Sequence, residues 1–191
     1  MISAFFSITL PIILILARGP QSLSKPEAMM VYRKVQQEYL RIGINLRLER
    51  MVLLRSDPSA KYASSLEDKY SRFGFMERYV RNRFPFTAGR ITFAMMPPVI
   101  INGDRWGYGR AQSVCAPKFS HPFAFGAVTR PLTPDGNSYK WAIKIMAHEI
   151  GHLLEASHDS EGIMQPNVLP WPLYFSPVSK EQIRRCVRLS N

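Results

Sequence analysis

The stretch His148-Glu149-Ile150-Gly151-His152-Leu153-Leu154-Glu155-Ala156-Ser157-His158-Asp159 gathers three of the chain's four histidines, and Gly162-Ile163-Met164 follows closely. Two histidines four apart on a helix lie about 40° apart around its axis, so their imidazoles can share one metal ion. Glu149 adjoins the first of them and is placed to take a proton from water activated at that ion. Three neutral imidazoles leave zinc an open fourth position, which suits hydrolysis rather than a structural site. His158 poses a geometric problem. On an unbroken helix it would lie roughly 9 Å beyond His152 along the axis, whereas zinc needs each nitrogen at about 2.0–2.1 Å. The chain must therefore turn back between Leu153 and Ser157. A glycine at position 155 would permit this, because glycine enters left-handed conformations without steric cost.

Position 155 is Glu, and three outcomes stand open. Glu155 adopts the left-handed conformation at a cost of about 1–2 kcal/mol. Alternatively the turn is made in another way. In the third outcome the helix continues, and the Glu155 carboxylate approaches the metal in place of His158.

The H-E-x-x-H pattern is the signature of zinc proteases. The whole stretch resembles the metzincin metalloproteases, whose pattern is H-E-x-x-H-x-x-G-x-x-H plus a methionine turn; only Glu155 departs from it. The resemblance implies zinc ligands His148, His152 and His158, the general base Glu149, and Met164 beneath the metal. It also implies one Zn2+ per chain and hydrolysis of internal peptide bonds in protein or peptide substrates. A finer resemblance is to the adamalysin (reprolysin) branch. It rests on Asp159 and on Gly107-Tyr-Gly-Arg-Ala-Gln-Ser-Val-Cys115. It rests also on the stretch from Phe175 to Cys186. In that resemblance Phe125, Gly126, Ala127 and Val128 look like the substrate-binding edge strand. Residues 166–169 would wall the pocket for the side chain that follows the cut. Cys115 and Cys186 match cysteines that bond to each other in that branch. The residues themselves also allow two buried free thiols in a cytosolic protein.

The 191 residues suit one domain with a real core, and 46% hydrophobic content excludes a disordered chain. A formal charge of +11 implies attraction to acidic polysaccharide, acidic protein or anionic lipid surfaces. Nucleic acid competes as a partner, but no recognition motif appears, and the basic residues are scattered. We expect no nucleic-acid partner, and a monomer. Residues 1–17 contain the apolar run from Ile8 to Ala17. It reads as a signal peptide, hence a secreted protein, or as an uncleaved anchor or a buried strand.

The elements that must position the site follow from periodicity. A helix starts near Ser24, with Pro26 in its first turn. Ile44 to Leu54 reads as a strand with an irregularity. A second helix spans residues 64–83 and offers Leu66, Tyr70, Phe73, Tyr79 and Val80 to a core. Residues 90–95 form a short buried strand that ends at Pro97-Pro98, and residues 123–129 form another. The helix capped at Ser138 carries His148 and His152, with Trp141 in its core. The last helix runs from about Ser179 to Leu189. The fold class is α/β (α+β), with the metzincin layout of a twisted mixed sheet, long helices and an active-site cleft. Residues 18–191 make up the catalytic domain, divided near 157 into an upper and a small irregular lower subdomain. The resembling family opens with a central strand before the first helix. Here the hydrophobic leader takes that place, so either a strand is missing or Ile8 to Leu16 supplies it. The competing functional reading is a catalytically weak or inactive secreted binding protein on the same fold, or a truncated product.

Overall fold

The computed structural model describes residues 8–62, 69–84, 89–101, 104–106, 109–111, 122–127, 139–166 and 172–189. The order is β1 (Ile8–Leu16), α1 (Lys25–Leu40), β2 (Ile44–Leu53), α2 (Lys69–Arg83), β3 (Ile91–Met96), β4 (Val99–Ile101), β5 (Asp104–Trp106), β6 (Gly109–Ala111), β7 (Phe123–Ala127), α3 (Lys140–Leu153) and α4 (Pro177–Leu189). The principal sheet has five strands in the order β2-β1-β3-β7-β6. Its first four strands run parallel, and β6 pairs antiparallel with β7. The short β4–β5 pair stands apart as an antiparallel ribbon.

The apolar run read as a leader is β1, bonded between β2 and β3. A parallel strand covered on both faces needs apolar residues at nearly every position, and this is why its composition imitates a leader. Leu10, Ile12, Leu14 and Leu16 join one core, whereas Ile13 and Ile15 join the other. Ile8 to Leu16 thus fills the place of the central strand, and the missing-strand alternative falls. The expected irregularity in β2 is a bulge. Ile12 faces Leu48 while Ile13 faces Arg50, which leaves Glu49 as the extra residue.

The two faces of the sheet carry different helices. On one face α1 buries Ala28, Val31, Tyr32, Val35 and Tyr39, a helical stripe, in a core shared with α3 and α4. On the other, Phe73, Met76 and Val80 of α2 pack with Phe123 and Phe125. Phe73 lies 5.4 Å from Phe123 and 5.5 Å from Phe125, ring centre to ring centre. Arg72 is fully buried beneath this second core. Its guanidinium donates to Asp57 Oδ2 at 2.6 Å, to Pro97 O at 3.0 Å and to Ser59 Oγ at 3.2 Å. These bonds tie the segments that leave β2 and β3 to α2.

Two expectations are corrected. β7, expected as the substrate-binding edge through Phe125, Gly126, Ala127 and Val128, is an internal strand between β3 and β6. Phe125 is buried because it faces the second core, and Val128 lies outside the described residues. Among the described residues the edges of the sheet are β2 and β6, and β6 is the one beside α3. Trp141, expected in the helix core, is 42% exposed, because it lies in the first turn of α3 on the face turned from the sheet. Ile163, Met164, Phe175, Ile183 and Cys186 share the core of α1 and α3, so the chain after α3 folds onto the same apolar centre.

A chain begun at Arg18 lacks β1, which leaves β2 and β3 without their shared neighbour. We predict that it shows no cooperative urea unfolding and no near-ultraviolet circular dichroism, whereas the full chain shows both.

Candidate metal centre

Helix α3 carries the first two histidines, and three contacts fix its position. Tyr39 of α1 donates its hydroxyl to Ala147 O at 2.8 Å, next to His148. Tyr139, at the start of α3, donates to Glu27 of α1 at 2.8 Å. On its sheet side α3 meets β7 at Gly126, where an added Cβ would lie 2.5 Å from Ile145 Cγ2. Only glycine allows the strand and the metal-site helix to approach this closely.

The helix stops where the third histidine requires it to. Glu155 N–H bonds His152 O at 3.1 Å, and Ala156 N–H bonds Gly151 O at 3.0 Å. This pair of bonds is a Schellman ending, which places residue 155 in the left-handed region. Glu155 has φ 62°. Of the three outcomes open in the sequence, the first is the one found: Glu155 occupies the glycine position, and its side chain points to solvent rather than joining the histidine cluster. The turn delivers His158 to its partners. His152 Nε2 lies 3.0 Å from His148 Nε2 and 3.2 Å from His158 Nε2, and all three nitrogens fall within 4.8 Å of one another.

The His148–His152 contact is not a hydrogen bond between neutral imidazoles. His148 Nδ1 meets Ile163 O at 2.8 Å, and His152 Nδ1 meets Ala156 O at 2.8 Å. A carbonyl only accepts, so in both rings Nδ1 carries the proton and Nε2 presents a bare lone pair. Two lone pairs facing each other at hydrogen-bond distance repel unless a cation lies between them. Imidazole nitrogens at about 2.05 Å from a tetrahedral zinc are about 3.3 Å apart, and the separations of His152 Nε2 from its two partners lie close to that edge. The carbonyl partners fix the tautomers, as outer contacts of metal-bound histidines do. The donor set therefore fits one zinc ion, and among the described residues no fourth side chain joins it.

Burial lowers the His148 pKa to about 4, so the ring is neutral and ready as a ligand at pH 7. Glu149 is 6% exposed, and burial raises its pKa to about 8. A carboxyl in this state is tuned for proton exchange, and a nearby divalent cation would favour its charged form.

The segment after His158 closes the site from below. Asp159 N–H bonds Met164 O at 2.9 Å, and Ile163 N–H bonds Tyr174 O at 2.8 Å. Met164 is fully buried, with its sulfur against the backbone of Gly151; an added Cβ there would collide with that sulfur. Asp159 accepts from the hydroxyls of Ser176 and Ser179, and these bonds, that of Ser176 first, hold its carboxyl below its usual pKa. Gln182 of α4 accepts from Ser157 N–H at 3.0 Å and donates to Ser157 Oγ at 2.8 Å, which clamps the residue before His158. Ser176 and Gln182 escaped the sequence reading because no spacing rule links them to the histidines. Cys186 is buried on α4, and Cys115 lies outside the described residues.

No protein-family model matches the chain. Metalloproteinase-II from Bacteroides fragilis superimposes with a TM-score of 0.60 at 17% identity, over 97% of this chain and 55% of that one. The archaemetzincin of Methanopyrus kandleri superimposes with a TM-score of 0.50 at 16% identity, over 100% of this chain and 97% of that one. The fold is shared with metalloproteinases. This chain spans about half the length of the Bacteroides protein.

Two predictions follow from this geometry. Glu155→Gly removes the left-handed penalty and raises unfolding stability by about 1 kcal/mol in urea titration. The second concerns Glu149 in chelator-treated protein. Its raised pKa means that the folded state holds a proton the unfolded state has lost, so stability is greatest below pH 4.5 and falls as pH rises towards 8. His148 acts oppositely, and its contribution is complete above its ordinary pKa of 6.5. Between pH 6.5 and 8 the metal-free protein therefore loses up to about 1.4 kcal/mol per pH unit, and Glu149→Gln abolishes that slope.

Proposed function

We propose that this protein is a zinc-dependent endopeptidase of metzincin type. The observation that carries the reading is the convergence of three imidazole nitrogens, two of them bare, next to a buried carboxyl, Glu149. Zinc held there supplies Lewis acidity to a scissile carbonyl and to water. His148, His152 and His158 hold the ion through Nε2, with two of the rings oriented by the carbonyls of Ile163 and Ala156. Glu149 takes a proton from the attacking water and passes it to the leaving amine, and no covalent enzyme intermediate forms. The substrate lies along β6 as an added antiparallel strand, since β6 is the sheet edge nearest α3.

The finer placement in the adamalysin branch rests on Asp159 and on the pairing of Cys115 with Cys186. That bridge would pin α4 to the segment after β6, and an extracellular location follows from it. Ile8 to Leu16 lends no support to secretion, because this run is needed in the sheet. The charge of +11 favours acidic protein or polysaccharide surfaces.

In a quenched-peptide assay we expect chelator-sensitive cleavage that falls by at least about 100-fold in Glu149→Ala while zinc content is retained. Stoichiometric zinc without cleavage in the unaltered protein would refute the peptidase and favour a binding protein on the same fold.

A further inference from the structure

β1 leads through α1 to β2 on one side of it, whereas β3 lies on its other side and is followed in the sheet by β7. The chain paths that leave the carboxyl ends of β1 and β3 therefore diverge. In an open parallel sheet such a reversal of strand order leaves a crevice outside those ends, where ligands bind. Here the crevice is a cavity of about 420 Å³. That size suits a small molecule. The segment after β1 contributes Arg18, Gly19 and Pro20, and the segment after β3 contributes Pro97 and Pro98. Asp57 and Ala60 follow β2, and Arg72 comes from α2. Gly19 lets the two exits touch, since an added Cβ would lie 2.6 Å from Pro97 Cγ. Arg18, Pro20 and Ala60 are exposed, so the cavity is open to solvent, while Pro97 and Pro98 are buried. Among the described residues none of the lining belongs to α3, α4 or the histidine segment.

The lining decides the chemistry of an occupant. Three proline rings and Ala60 offer apolar contact. Arg72 and Asp57 are nearly inaccessible and paired at 2.6 Å, so their charges cancel. Arg18 remains. Its guanidinium is exposed and makes no hydrogen bond or ion pair among the described residues. A guanidinium pairs best with a planar oxyanion, through two parallel hydrogen bonds. One such group balances a single negative charge, which suits a carboxylate better than a phosphate. The turn after Arg18 is costly. Ser22 N–H bonds Gly19 O at 3.2 Å, with Pro20 and Gln21 between them. Gln21 has φ 60° at the position where such a turn favours glycine. Its Oε1 is buried without a hydrogen-bond partner among the described residues. Backbone strain of this kind gathers at ligand sites.

We propose that this cavity is a second ligand site, which takes a small carboxylic acid with an apolar body. The body lies against Pro20, Pro97 and Pro98, and the carboxylate pairs with Arg18 at the mouth. The assignment is independent of the peptidase reading, because it shares no residue with the metal centre.

The test uses the full chain, both zinc-loaded and metal-stripped, with hydrocinnamate as the probe and hydrocinnamamide as its uncharged isostere. Binding is read by saturation-transfer difference NMR and by calorimetric titration. We expect hydrocinnamate to fill one site with a Kd of about 1 mM or tighter, equally in both forms of the protein. The amide should bind at least about fivefold more weakly. Arg18→Gln should bring the acid to the affinity of the amide. Ala60→Trp fills the cavity and should abolish binding of both probes, with near-ultraviolet circular dichroism unchanged; Arg18→Gln decides the matter if that variant does not fold. No binding at about 10 mM would overturn the proposal. Equal affinity for acid and amide would also overturn it, as would binding that either folded variant leaves unchanged. Binding that vanishes when zinc is stripped places the carboxylate on the metal and overturns it too.

Discussion

The imidazole lone pairs of His148 and His152, turned towards one point, repel each other, and a protein that holds them so with His158 beside them must supply the restraint. The restraint here is distributed. Tyr39 fixes the helix beside His148, the carbonyls of Ile163 and Ala156 set two of the rings, and Gln182 clamps the residue before His158. The left-handed turn at Glu155 is the hinge of the arrangement. Without it, His158 would continue along the helix axis and the other contacts would orient only two ligands. Placing a glutamate there leaves a small strain, which the surrounding hydrogen bonds and packing offset.

Much of the site was legible in the sequence because its logic is local. His148, Glu149 and His152 obey helical spacing, and the reversal before His158 follows from the reach of a metal ligand. The need for a left-handed residue at 155 follows in turn, even though the residue found there is the wrong type for it. Gly126 and Gly151 were not legible, since each is required by an atom distant in sequence: Ile145 against β7, and Met164 against α3. The Arg72–Asp57 pair joins segments that only the folded sheet brings together.

Two misreadings share a cause. A strand covered on both faces loses its alternation, so β1 looked like a leader and β7 could not be told from an edge by pattern. The edge strand beside α3, β6, is a run of Gly, Arg and Ala with no strand-like composition. Its role emerges only from its antiparallel pairing with β7.

The central claim is that His148, His152 and His158 share one metal ion. X-ray absorption at the zinc edge of the full chain tests it most directly. The account predicts one zinc per chain with three imidazole nitrogens at about 2.0–2.1 Å, reduced to two in His158→Ala. A spectrum with only two imidazoles in the unaltered protein, or one that His158→Ala leaves unchanged, would contradict it.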